Sequence, residues 1–206
     1  MQEQVSLQRL GPAHGDEVVA VLADAFRDYP VMRFVAGPQE PYGERLRRLI
    51  GIFVAGRVHR RHPMLGLRDE AGELLAAITM TPRGEHPAPE SLKAFTGESW
   101  QWLGAETKQR YDCMVQAWER MPDPGTRWHV NMLGVRQDCR GRGYAVRLLD
   151  AAPALAAEDP DCRGLDLTTE DPANLRFYRA RGFEVIAEAK VAGGGPDSWM
   201  LVKDFR

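Results

Sequence analysis

The chain has 206 residues, of which 44% are hydrophobic and 27% charged, enough to bury one sizeable core, so a single domain over residues 1–206 is expected. A formal charge of −2 gives no global field for nucleic acid or an anionic membrane, and neither is expected as a partner. Three scattered cysteines (Cys113, Cys139, Cys162) argue against a disulfide framework; with no signal-like or membrane-length apolar run, they predict a cytoplasmic protein.

Residues 5–10 read as a first strand. Residues 16–26 place Val18, Leu22 and Phe26 at helical spacing. Residues 44–60 do so more strongly, with Leu46, Leu49, Ile50, Phe53 and Val54 on one stripe and arginines opposite. MLGLRD and LLAAITMTP flank the turn DEAGE and read as a hairpin. The Pro-rich stretch 82–90 reads as a long connector, and residues 106–121 as a helix. RWHVNMLGV, residues 127–135, is a predicted strand. A helix follows over about 143–157, bent at Pro153, and then the short strand RGLDLTT. Asp171 is placed as an N-cap, Pro172 as the first helical residue and Gly182 just past the end. FEVIAEAKV and SWMLVKDF close the chain as a hairpin around AGGGPD. The resulting order, β-α-α-β-β-α-β-α-β-α-β-β, predicts an α/β (α+β) protein with a mixed sheet covered by helices.

The segment CRGRGYAVRLL, residues 139–149, sets a glycine-rich, cationic loop directly before an amphipathic helix. Unpaired N–H groups at a helix start, with the positive end of the dipole behind them, form an anion site. Glycine lets the backbone close on that anion. A nucleotide P-loop needs G-x-x-x-x-G-K-[ST], and the Lys and hydroxyl are missing. A dinucleotide fingerprint needs a third small residue where this chain has Val146. The pattern R/Q-x-x-G-x-G/A is matched without a gap by Arg140, Gly143 and Ala145.

NMLGVRQDCRGRGYAVRLL resembles the acyl-CoA signature of the GNAT superfamily of N-acyltransferases, and EDPANLRFYRARGFEV resembles its downstream N-x-x-F-Y-x-x-x-G-F signature. DAFRDYPVMRF and, more loosely, SWMLVK are similar to the puromycin-acetylating branch. The resemblance implies a mostly antiparallel sheet of about seven strands with one splayed strand pair. Acetyl-CoA would enter that gap along Leu133, Gly134 and Val135. The main chain of Arg140, Gly141, Arg142, Gly143, Tyr144 and Ala145 would grip its diphosphate. Asn174 and Tyr178, at (i, i+4) spacing, share a helix face. The resemblance assigns Asn174 to coenzyme contact and Tyr178 to protonation of the departing thiolate, a role that suits a phenol with a pKa of about 10. Arg136 and Arg147 read as solvated arginines, and Cys139 as a loop residue without a base.

In the puromycin-acetylating branch a Glu stands where this chain has Thr168, which cannot act as a base. Asp166, Glu170, Asp28 and Glu98 are the alternative carboxylates, each of which reads singly as a surface residue, and His129 reads as a structural histidine. The acceptor side is assigned to Asp28, Tyr29, Trp100 and Tyr111, with Phe26 and Trp118 left to core packing. No cluster has metal-ligand spacing, so no metal is expected. The leading expectation is acetyl transfer to a small-molecule amine, an antibiotic among the candidates, by a monomer or homodimer. Competing readings are an acyl-CoA sensor without turnover, a protein N-terminal or lysine acetyltransferase and, more distantly, a dinucleotide-dependent oxidoreductase.

Overall fold

The computed structural model describes residues 4–205. Its elements are β1 (Ser6–Leu10), α1 (Gly15–Ala25), α2 (Pro30–Ala36), α3 (Tyr42–Arg60), β2 (Met64–Arg68), β3 (Leu74–Thr81), α4 (Glu90–Leu103), α5 (Ala105–Glu119), β4 (Trp128–Val135), α6 (Tyr144–Ala156), β5 (Gly164–Thr169), α7 (Pro172–Arg179), β6 (Glu184–Lys190) and β7 (Asp197–Asp204). Two of the helices, α2 and α4, were not expected. Both start beside a proline, Pro30 at the first helical position of α2 and Pro89 as the cap of α4. A fixed φ before a helix is pre-organised for its first turn, so the same residue can end a turn and start a helix.

Seven strands form one sheet in the order β1-β2-β3-β4-β5-β7-β6. The sheet is mixed and mostly antiparallel; β4–β5 is the parallel pair. Two hydrophobic clusters lie on its faces. One joins α1, α2, α3 and α5 through residues such as Leu22, Val35, Ile50 and Met114. The other joins α6 to the opposite face through Leu148, Leu149, Ala152 and Leu155, so α6 runs through Pro153 and still presents the expected stripe. Along β4, buried and half-buried residues alternate strictly. Trp128 and Val130 pack in the α6 cluster and Met132 in the opposite one, so the buried side of β4 changes face across Asn131. No helix among the described residues is long and apolar enough to cross a membrane.

Local chemistry fixes the ends that matter. Asp171 caps α7 by accepting from the Ala173 amide at 2.9 Å, and Pro172 follows at the first position. Helix α3 stops at Arg61, whose left-handed φ of 53° turns the chain so that the His62 amide bonds the Arg57 carbonyl at 2.9 Å.

Candidate active site

The parallel ladder between β4 and β5 is short. Trp128, His129 and Val130 pair with Leu165, Asp166 and Leu167, and there it ends, although β4 continues to Val135 and β5 to Thr169. At the same point the β3–β4 register shifts, with Thr79 facing Met132 but Met80 facing Val130, which leaves Asn131 as an extra residue in β4. A bulge of this kind breaks pairing and bends the strand away. The Arg136 amide bonds Leu75 of β3 at 2.9 Å. Main-chain groups alternate in direction along an antiparallel strand, so the amides of Leu133 and Val135 point into the gap between β4 and β5.

The gap leads to the loop before α6. Gly141 and Gly143 both have φ of 79°, a conformation that glycine adopts freely, and a Cβ built on either would meet open space. Among the described residues, no carbonyl or side chain accepts from the amides of Gly141, Gly143, Tyr144, Ala145 and Val146; the first helical bond here runs from Arg147 to the Gly143 carbonyl. Arg140 is held over the gap by a bond to the Ala25 carbonyl at 2.7 Å. Five donors at the positive end of a 13-residue helix make an anion cradle. Gap and cradle belong to one cleft of about 700 Å³.

The other part of the cleft lies over the α1–α3–α5 face and is lined by Tyr29, Phe53, Tyr111 and Trp118. Glu170, at the end of β5, is 4% exposed. Its Oε1 accepts from Ser198 Oγ at 2.7 Å and Trp118 Nε1 at 3.3 Å, and its Oε2 accepts from the Tyr29 hydroxyl at 3.2 Å. Burial pushes its carboxyl above the ordinary range, and those three donors hold back part of the rise. Tyr178 faces the same cleft, its ring packed between Phe177 and Phe183 at centroid distances of 5.1 and 5.7 Å. Burial, and then the charge of Glu170, push its phenol well above the usual value. Beside them His129 lines the cleft with Nδ1 at 2.5 Å from Asp166 Oδ2.

The family model described as "Acetyltransferase (GNAT) family" matches residues 22–183. This chain belongs to the GNAT acetyltransferase family. It is also similar to a blasticidin-S acetyltransferase from Streptomyces morookaense, 34% identical over 77 residues, which cover 37% of this chain and 57% of that relative. Among solved structures, a histone acetyltransferase HPA2 and related acetyltransferase from Corynebacterium glutamicum superposes with a TM-score of 0.69 at 17% identity, over 98% of this chain and 97% of that one. The paia N-acetyltransferase from Thermoplasma acidophilum, solved in complex with coenzyme A, gives a TM-score of 0.57 at 11% identity over 98% and 99%.

Within this GNAT chain the structure brings together Leu133, Gly134, Val135, Arg140, Gly141, Gly143, Tyr144, Ala145, Asn174 and Tyr178, all lining the one cleft. Gly134 has a packing reason as well: a Cβ there would lie 2.7 Å from Leu22 and 2.9 Å from Ala25 of α1. Asn174 donates to Thr169 Oγ1 at 3.2 Å, which orients its amide at the gap. Arg142 is exposed and does not line the cleft. Arg136 is drawn away by Asp138 at 2.7 Å and Arg147 by the Val5 carbonyl at 2.9 Å. Cys139 is buried, and burial pushes its thiol up, away from nucleophile chemistry.

Several acceptor-side expectations need correction. Asp28 is exposed and tied to Arg33 at 2.6 Å, outside the cleft. Trp100 lies behind the wall, its ring tilted against Tyr111 at a centroid distance of 4.8 Å, and Glu98 is exposed on α4. Phe26 and Trp118, expected as core packing, line the cleft. Asp166 and Glu170 are buried, whereas surface carboxylates were expected. The sequence reading also missed Arg57, counted with the solvated arginines of α3. Its spacing carried a signal: it falls four residues after Phe53, on the apolar stripe itself. No group of three or more His, Cys, Asp or Glu among the described residues could hold a metal ion.

Proposed function

We propose that this protein transfers an acetyl group from acetyl-CoA to the amine of a small molecule. The observation that carries the reading is the convergence, in one cleft, of an opened strand pair, five unclaimed loop and helix amides, a buried carboxylate and a buried phenol. Family membership supports the chemistry, and the blasticidin-S acetyltransferase similarity supports a small amine over a protein substrate. The bound donor would supply the thioester; everything else falls to this chain.

The cradle at Gly141–Val146 binds the coenzyme diphosphate, and the extra-ladder edge of β4 aligns the pantetheine arm. The amides of Leu133 and Val135 meet the thioester oxygen as negative charge grows on it. Glu170 takes a proton from the acceptor amine, whose lone pair forms the new C–N bond as the C–S bond breaks. Tyr178 gives its proton to the departing sulfur, and its high pKa keeps it protonated until then. Glu170 rather than His129 is assigned the base because it is held by Tyr29 and Trp118, which line the acceptor part of the cleft, and it lines the same cleft as Tyr178. Most of the rate gain comes from holding amine and thioester aligned.

A coenzyme sensor without turnover was motivated by Thr168. A buried carboxylate two residues on lines the same cleft and supports the transfer reading instead. The test is thiol release from acetyl-CoA with a panel of small amines, with products identified by mass. Coenzyme binding without acetylation of any amine would favour the sensor.

A further inference from the structure

Arg57, in the last turn of α3, lines the acceptor part of the cleft. Its Nε donates to Asn131 Oδ1 at 3.1 Å and lies 3.3 Å from Thr81 Oγ1; one terminal nitrogen donates to Thr81 Oγ1 at 2.9 Å and the other to the Phe53 carbonyl at 2.9 Å. Every one of these acceptors is neutral. A guanidinium carries five N–H groups, and these bonds use three, leaving one hydrogen on each terminal nitrogen. Some arginines have carboxylates, Arg68 with Glu17 at 2.6 Å and Arg127 with Asp204 at 2.7 Å; Arg45 and Arg60, like Arg57, bond neutral acceptors, but neither of those two lines the cleft. The charged and titratable groups that interact with Arg57 are Arg60, Tyr111 and His62, none of them a carboxylate. Burial, and then the charge of Arg60, lower its pKa to about 10.

A partly desolvated cation with two spare donors is a ready partner for a carboxylate. The coenzyme does not answer it. The diphosphate cradle lies beyond Val135, at the far end of β4, whereas Arg57 stands over the Asn131 bulge. Glu170 does not answer it either, being engaged with Tyr29, Trp118 and Ser198 across the β4–β5 gap. Phe53, Tyr111 and Trp118 line the same cleft as the two charges. A single guanidinium balances one carboxylate, whereas a phosphate dianion would leave a second charge unmet.

We propose that Arg57 sets acceptor specificity by binding a carboxylate on the acceptor, so that the substrates are amines with an aromatic or flat body, the amine directed to Glu170 and the carboxylate to the two spare N–H groups. This rests on the acetyl-transfer reading above.

The test compares 3-(aminomethyl)benzoate with 3-(aminomethyl)benzamide, which share a benzylic amine and differ in charge at the far end. The wild-type protein should show kcat/KM at least tenfold higher for the benzoate, and in Arg57→Gln that ratio should fall to near one, with Arg57→Lys between them. Equal rates on the two amines in the wild type, or a proportional loss on both in Arg57→Gln, would overturn the proposal and leave acetyl transfer standing; the second result would mark Arg57 as a brace for the bulge. Product binding gives a readout without turnover. The N-acetylated benzoate, titrated with coenzyme A present, should lose about tenfold in affinity in Arg57→Gln, and unchanged affinity overturns the assignment. Binding of that product by a protein that acetylates no amine would instead sink the transfer reading.

Discussion

Tyr29 and Glu170, far apart in the chain, hold each other at two points: the Glu170 amide donates to the phenolic oxygen at 2.8 Å, and the phenol donates to Oε2 at 3.2 Å. The loop between α1 and α2 is thereby pinned to the end of β5. Tyr29→Phe keeps the ring and removes both bonds. It leaves a buried amide unsatisfied, at a cost of about 1–3 kcal/mol. It also removes a donor that favours the ionised carboxylate, so the Glu170 pKa should rise further. The acid limb of the kcat/KM profile should move to higher pH, and an unmoved limb would disconnect Tyr29 from the base.

On the proposed mechanism, Glu170 itself governs that limb. As a base it must be ionised, and its pKa lies above the ordinary 4.5, so activity should fall as pH drops through a value above the usual carboxylate range. Glu170→Gln should lower kcat/KM by about 10²–10⁴-fold and abolish the limb. If His129→Asn flattens the limb and Glu170→Gln does not, the base is His129.

Stability gives an independent check. A carboxyl whose folded pKa is raised favours the fold while protonated, and that contribution is lost as pH rises through the folded value. Glu170→Gln has no charge to lose. Its Tm relative to wild type should therefore improve between acidic and neutral pH in scanning calorimetry. A difference that stays constant with pH would mean that Glu170 keeps an ordinary pKa.

For Tyr178, removal of the hydroxyl in Tyr178→Phe should reduce kcat by about 10²-fold or more with little change in coenzyme affinity. Since burial raises its pKa, the wild-type profile should show no basic limb from this group up to about pH 10. Full activity in Tyr178→Phe would remove the acid role.

The two site glycines test the cradle. At φ of 79° an alanine is strained by about 1–2 kcal/mol, relieved when the loop shifts and its amides lose their aim. Gly143→Ala should weaken coenzyme A binding about tenfold by calorimetry, with the far-UV spectrum unchanged. Undiminished binding would place the diphosphate elsewhere.

His62 offers a prediction away from the cleft. It is buried beside His86, neither ring nitrogen has a hydrogen-bond partner among the described residues, and burial lowers its pKa from 6.5 to about 4. The folded state therefore resists protonation, and stability should fall as pH drops from about 6.5 towards 4, by about 1–2 kcal/mol after allowance for screening. His62→Phe should flatten that part of the stability profile.

Much of this was legible because it is local chemistry. The cradle is a glycine pattern, and the start of α7 is an Asp-Pro pair; both give the same turn wherever they occur. Glu170 was not legible. Its burial is created by Tyr29, Trp118 and Ser198, which lie 141, 52 and 28 residues away. Nothing in the neighbourhood of LTTE could reveal that a carboxylate there is roofed by an aromatic from α5. Asp28 failed for the complementary reason. It sits in the turn between α1 and α2, where Arg33, five residues on, draws its side chain outward.

The gap between β4 and β5 leaves the sheet as two half-sheets, β1-β4 and β5-β7-β6, stitched by three residue pairs at one end. A molecule lying in the opening would supply the missing rungs, gripped by amide groups that every amino acid possesses. Side chains at Leu133 and Val135 can thus drift over evolutionary time without loss of the grip, which leaves the acceptor walls free to be rebuilt around new amines on an unchanged donor track.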